Sequence, residues 1–98
     1  MNIVWTQKAL KSYFVILEYL QNEWGDKVLQ DFIVNIEHIL MQIKEYPKMH
    51  VSSEHYKSVR RAVVTKHNLL FYKIKPQKKE IELLVFWDTR QEGKRRKF

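Results

Sequence analysis

The sequence predicts an α+β domain of order βααβββ, in which a helical hairpin packs on one face of a mainly antiparallel four-stranded sheet. Three observations predict it. Between residues 9 and 43 the large apolar residues recur every three or four positions, the spacing of a helix face. Between residues 58 and 87 the period falls to two, the spacing of strands. The two helical stretches meet at Gly25-Asp26, a link so short that the helices must fold back on each other.

Taken in order, residues 2–5 (Asn2-Ile3-Val4-Trp5) read as a short opening strand, and Thr6 as the N-cap of the first helix. Ala9, Leu10, Tyr13, Ile16, Leu17, Leu20 and Trp24 then line one helical face. Gly25 can adopt the left-handed conformation that ends a helix, and Asp26 can cap the next. Leu29, Phe32, Ile33, Ile36, Ile39, Leu40 and Ile43 form the second stripe, with Pro47 just past its end. Residues 45–57 are a polar loop without regular period. Residues 58–66 read as a strand, His67-Asn68 as a tight turn, and residues 69–75 as the next strand. Pro76-Gln77-Lys78-Lys79 turns the chain into a last strand over residues 80–87. The three strands make an antiparallel meander covered by the helices. The neighbour of the opening strand is left open. Residues 1–98 thus read as a single domain, with 89–98 a basic C-terminal tail.

Strict alternation divides each strand between two faces. In the last strand Ile81, Leu83, Val85 and Trp87 share the side expected under the helices, and Glu82, Leu84, Phe86 and Asp88 the other. In the middle strand Leu70, Tyr72 and Ile74 oppose Leu69, Phe71, Lys73 and Lys75. Arg60 and Arg61 are adjacent, so one faces the helices and one the open surface; the sequence does not say which.

Composition narrows the function. The chain is 98 residues long, 45% hydrophobic and without cysteine, so it suits one folded domain and has no disulfide, thiolate metal site or cysteine nucleophile. Its longest apolar runs, residues 13–17 and 83–87, are far shorter than a membrane span. With no leader-like start, a cytoplasmic location without membrane association is expected. The two glycines, Gly25 and Gly93, cannot build a phosphate-binding loop, and neither His38 nor His50 has the spacing of a metal site. No metal or other cofactor is expected. The net charge of +7 is unevenly placed: −2 over residues 1–47 and +9 over residues 48–98. A basic half joined to a slightly acidic one points to a polyanion or an acidic protein as partner. Arginines and lysines on an open sheet can neutralise phosphates and stabilise the charge that develops when RNA is cut by its own 2′-hydroxyl, while a histidine such as His55 or His67 can move the proton.

The residues Val59-Arg60-Arg61-Ala62-Val63-Val64-Thr65-Lys66-His67-Asn68-Leu69-Leu70-Phe71-Tyr72-Lys73-Ile74, with Ile81-Glu82-Leu83-Leu84-Val85-Phe86-Trp87-Asp88-Thr89-Arg90-Gln91, resemble the RelE/ParE superfamily of toxins. The helical hairpin ending before a proline belongs to the same pattern, so the resemblance spans nearly the whole chain. It implies the toxin of a bacterial type II toxin–antitoxin pair, which arrests growth when free of a cognate antitoxin encoded nearby. It implies one of two targets: DNA gyrase, blocked without nuclease chemistry, which is the leading expectation, or ribosome-bound mRNA, cut without a metal. A non-catalytic RNA-binding module is the reading outside the toxins. For a nuclease, the resemblance points to Arg60 or Arg61 on the scissile phosphate, with Lys66 and His67 as further catalytic candidates. Lys57, Lys73, Trp87, Arg90, Lys94, Arg95 and Arg96 are candidates for contacting the target or nucleic acid. The departure from the nuclease pattern follows the last strand. Many nucleases carry a Tyr or His there; this chain reads Trp87-Asp88-Thr89-Arg90.

Overall fold

The computed structural model describes residues 1–91. Strand β1 (Asn2–Trp5) leads into α1 (Gln7–Trp24), which turns at Gly25 into α2 (Asp26–Glu45). Strands β2 (Val59–Thr65), β3 (Asn68–Lys75) and β4 (Glu80–Asp88) follow, and short 3₁₀ turns occupy Pro76–Lys78 and Thr89–Gln91. The sheet order is β1-β4-β3-β2: β1 runs parallel to β4, and the other two pairings are antiparallel. The opening strand therefore pairs with the last.

Each helix end has a local cause. Thr6 caps α1, its hydroxyl accepting the Ala9 N–H at 3.0 Å. Gly25, at φ +86°, ends α1 by donating its N–H to Leu20 and Gln21 carbonyls. Asp26, expected as the cap of α2, instead lies inside its first turn, where a carboxylate favours the positive helix end and accepts a bond from Gln21 Nε2.

The core lies between the helices and the sheet. Ala9 of α1 and Phe32, Ile36, Ile39 and Ile43 of α2 pack on Ala62, Val64, Leu70, Tyr72, Ile81, Leu83 and Phe86. Leu10 and Trp24, expected in the buried stripe, are exposed: Leu10 lies on the flank of that stripe, and Trp24 sits at the hairpin tip. Phe86 anchors an aromatic group, with ring centroids 5.7 Å from Trp5 and 5.2 Å from Tyr13.

Strict alternation fails in β4. Tyr72 pairs with Leu83, but Phe71 pairs with Val85, so Leu84 is one extra residue, a β-bulge. Beyond it the faces exchange. Ile81 and Leu83 lie under the helices as expected, whereas Val85 and Trp87 turn to the helix-free side and Phe86 goes beneath the helices. The bulge sits where β1 ends, and α1 serves the backbone groups that β1 no longer reaches. Thr6 Oγ1 donates to the carbonyls of Leu83 (2.7 Å) and Leu84 (3.1 Å), while Ser12 Oγ accepts the Phe86 N–H at 2.9 Å. A second register shift lies between Val63 and Thr65; Val64 stays on the helix side with Ala62, as alternation places it.

The 45–57 loop has no helix or strand of its own but is tied to β2. Arg61 N–H donates to the Val51 carbonyl at 2.9 Å, and Ser53 N–H to the Val59 carbonyl at 2.7 Å. This pairing covers the outer edge of the sheet.

Candidate functional site

The β2–β3 register decides the two adjacent arginines. Arg61 opposes Phe71 and shares the helix-free side with Val59 and Val63, whereas Arg60 opposes Tyr72 and turns to the helix side. On the helix-free side, Val59, Leu69, Phe71 and Val85 form a second apolar cluster against Leu84 and Trp87. Arg61 stands at its margin, 3.9 Å from the Glu54 carboxylate. Lys73 is half-buried on the same side, between Val59 and Glu82 in the register. Glu82 itself pairs with Lys75 at 2.9 Å. The cluster itself is buried, so this surface joins exposed Val63 to one guanidinium and two ammonium groups, one of them paired with Glu82, rather than forming a dense basic strip.

Arg60 does different work. Its guanidinium donates to the carbonyls of His50 (2.6 Å) and Lys48 (3.3 Å), and Tyr72 Oη donates to the Pro47 carbonyl at 2.7 Å. Together they fasten the start of the loop to the sheet. Burial pushes the Tyr72 phenol up to about 12. His50 lies edge-on to Tyr72, with centroids 6.1 Å apart, and among the described residues its buried Nε2 has no hydrogen-bond partner. Burial first, and the Arg60 charge second, hold His50 below the usual imidazole value. The neutral form is thus favoured in the folded state, so the unfolded chain binds the proton first as pH falls. Stability is expected to decline as pH drops below about 6.5, until the lowered folded value is passed. Urea titrations at pH 7.5 and 5.5 should show this decline shrinking in His50→Gln; an unchanged pH dependence in that variant would refute the assignment.

The remaining candidates gather elsewhere. Lys66 is exposed and His67 half-buried in the β2–β3 turn, where the His67 carbonyl accepts the Thr89 N–H at 2.8 Å. Asp88 is clasped by Arg90: Nε to Oδ1 at 3.1 Å, a terminal nitrogen to Oδ2 at 2.9 Å, and the Arg90 backbone N–H to Oδ1 at 2.9 Å. Those bonds hold the Asp88 carboxyl below the usual carboxylate range, with nearby His67 adding to the shift. The Arg90 guanidinium also stacks over Tyr19, 5.3 Å from its centroid. Lys57 is exposed in the loop. Trp87, no longer beneath the helices, has its indole N–H buried without a hydrogen-bond partner among the described residues. Lys94, Arg95 and Arg96 lie outside the described residues, as does most of the basic tail.

The sequence-derived candidates therefore fall into three places. Arg61 and Lys73 share the helix-free side, Arg60 binds the loop, and Lys66, His67 and Arg90 sit near the β2–β3 turn. Arg61 is five residues from Lys66, roughly 16 Å along a strand at about 3.3 Å per residue. Among the described residues, no group of three or more His, Asp and Glu side chains could hold a metal ion, and no helix is long and apolar enough to cross a membrane.

Sequence reasoning missed a groove of about 950 Å³ between the tip of the helical hairpin, the β2–β3 turn and the end of β4. Val15, Tyr19, Trp24 and Val28 line it, with Lys66 and Arg90 at its border. Val15 and Tyr19, large apolar residues one turn apart and outside the buried stripe, were the available signal.

Comparison with known proteins places this geometry. The family described as "ParE toxin of type II toxin-antitoxin system, parDE" matches residues 3–93. The chain belongs to this family of toxins, within the RelE/ParE superfamily, and membership implies a cognate antitoxin as partner. Among solved structures it is similar to the chromosomal ParDE toxin–antitoxin system from P. aeruginosa, at 19% identity and a TM-score of 0.73, over 90% of this chain and 95% of that one. It is also similar to a YoeB/ParE toxin from Agrobacterium tumefaciens, at 13% identity, TM-score 0.63, and 90% and 98% coverage. A metal-bound toxin from Helicobacter pylori is similar at 15% identity, TM-score 0.65, and 93% and 97% coverage. These likenesses show a shared fold. No curated protein sequence matches.

Proposed function

We propose that the chain arrests growth by blocking DNA gyrase, with the helix-free side around Arg61 and Lys73 as its contact surface. One observation carries this reading: over a buried cluster of Val59, Leu69, Phe71 and Val85, Arg61 shares the helix-free side with Val63, which is 64% exposed, a combination suited to holding a protein surface. Arginine beside packed apolar residues is a frequent anchor in such contacts. No histidine or tyrosine follows Tyr72 in the sequence, so the position where many nucleases carry a proton-transfer group holds Trp87-Asp88-Thr89-Arg90. There Asp88 and Arg90 are occupied with each other.

One feature favours the nuclease alternative. Glu54 lies 3.9 Å from Arg61, and a carboxylate beside a guanidinium is a pairing of base and phosphate ligand that RNA cleavage can use. The two readings part in a single pair of assays. The purified chain is expected to inhibit supercoiling by purified gyrase and to leave ribosome-bound mRNA intact by primer extension. New cuts in translated mRNA, with supercoiling unaffected, would transfer the assignment to the nuclease.

A further inference from the structure

We infer that residues 47–54 form an acid-released strap over the outer edge of β2, triggered at His50, whose opening parts Glu54 from Arg61. The strap itself follows from the contacts around His50; its bearing on activity rests on the proposed role of Arg61.

Hydrogen bonds, rather than a core, hold the strap down. On the helix side, the Tyr72 hydroxyl donates to the Pro47 carbonyl, and the Arg60 guanidinium donates to those of Lys48 and His50. Along the edge, Ser52 bridges Arg60 in antiparallel fashion, flanked by the bonds from Arg61 N–H to Val51 and from Ser53 N–H to Val59. The strap's apolar side chains add little, since Met49 is 54% exposed and Val51 59%. A segment with few buried apolar contacts, bonded at a solvent-facing edge, opens at a lower free energy than the strands beside it.

Within the strap Lys48 and Glu54 are exposed, so His50 is its one ionisable side chain turned inward. The ring lies edge-on to Tyr72, and its Nε2 is buried with no hydrogen-bond partner among the described residues. From β2 it faces the Arg60 guanidinium. From β3 it faces the Tyr72 phenol, which burial keeps protonated. At the end of α2, Lys44 and Glu45 are exposed, and no carboxylate forms an ion pair with His50 among the described residues. A proton on His50 therefore sets a second cation beside Arg60, half out of water and without a counter-ion. Opening relieves this by carrying the imidazole into solvent. The open strap takes up the proton at the ordinary imidazole value of about 6.5, and the closed strap resists it. Closure is thus strongest above that value and weakens as pH falls through it. Opening also leaves the Arg61 N–H and Val59 carbonyl of β2 unpaired and removes Glu54 from the Arg61 guanidinium, so the helix-free side becomes more positive.

The test is amide hydrogen exchange of the full chain, followed by NMR at pH 7.5 and 5.5. Rates are expressed as protection relative to the intrinsic rate at each pH. The Arg61 and Ser53 amides should be less protected than those of the central strand β3, and their protection should not change in dilute urea, the mark of local opening. From pH 7.5 to 5.5 that protection should fall between about threefold and tenfold, the upper limit being that of one proton with an ordinary value of about 6.5. In His50→Gln, which cannot titrate, the fall should shrink below about twofold. In His55→Gln, which alters an exposed histidine of the same loop, the fall should persist. Thermal melts establish that both variants are folded. Protection that ignores pH in the wild type, falls equally in folded His50→Gln, or loses its pH dependence in His55→Gln would overturn the inference. So would urea-sensitive exchange of both amides at the rate of β3, because the strap would then open only with the whole domain. Gyrase is absent from this experiment, so its failure and that of the proposed target are told apart.

Discussion

Phe86→Ala is expected to destabilise the domain by about 3–5 kcal/mol, a large share of the roughly 5–15 kcal/mol that holds a domain of this size together. Phe86 is 4% exposed and stacks against Trp5 and Tyr13, which themselves join β1 and α1 to the sheet. Its loss would leave a cavity bounded by three separate elements, with little freedom to collapse. At about 4–8 °C per kcal/mol for a chain this short, the melting temperature should fall by at least about 12 °C. Deleting Leu84 is the sharper form of the same prediction. Without the extra residue, positions beyond it would return to strict alternation, and Phe86 would be carried to the wrong side of the sheet. No cooperative unfolding transition is expected for that deletion. A melting temperature within a few degrees of wild type would show that β4 does not need its bulge.

The second large effect separates two neighbours. Arg61→Ala should reduce inhibition of gyrase supercoiling at least tenfold while changing stability by about 0.5 kcal/mol or less, because its contact with the exposed Glu54 carboxylate is long, at 3.9 Å, and partly solvent-screened. Arg60→Ala should do the reverse. It removes the donor to the His50 and Lys48 carbonyls, and charged hydrogen bonds of this kind are worth about 1.5–3 kcal/mol. Chemical denaturation and the supercoiling assay, run on the same preparations, check both halves. Equal loss of inhibition in two equally stable variants would remove the distinction drawn from the register.

The helical hairpin and the order of strands were legible because they depend on local spacing. Phe32, Ile36, Ile39 and Ile43 recur at helical intervals and are all buried. Leu70, Tyr72 and Ile74 alternate without interruption and all face the helices. What escaped the sequence depended on distant partners. The bulge at Leu84 is set by Thr6 and Ser12, hydrogen-bonding residues more than 70 positions away. Arg60 and Arg61 are chemically identical, so only pairing with β3 could assign their faces. Alternation moved Trp87 to the wrong side for the same reason, since one inserted residue reverses every position after it. The groove was hidden because it belongs to no single element: its walls come from α1, α2, the β2–β3 turn and β4.

The parallel union of β1 with β4 also bears on how the chain is made. Thr6 and Leu83 meet across 77 positions, so the N-terminal strand has no neighbour until β4 has been translated. At about 5–20 residues per second the wait lasts about 4–15 s, during which the hairpin's apolar stripe has no sheet to cover it. The nascent chain thus lacks its complete sheet until β4 leaves the ribosome. For those seconds its apolar hairpin stands open to chaperones and to any partner already present in the cell.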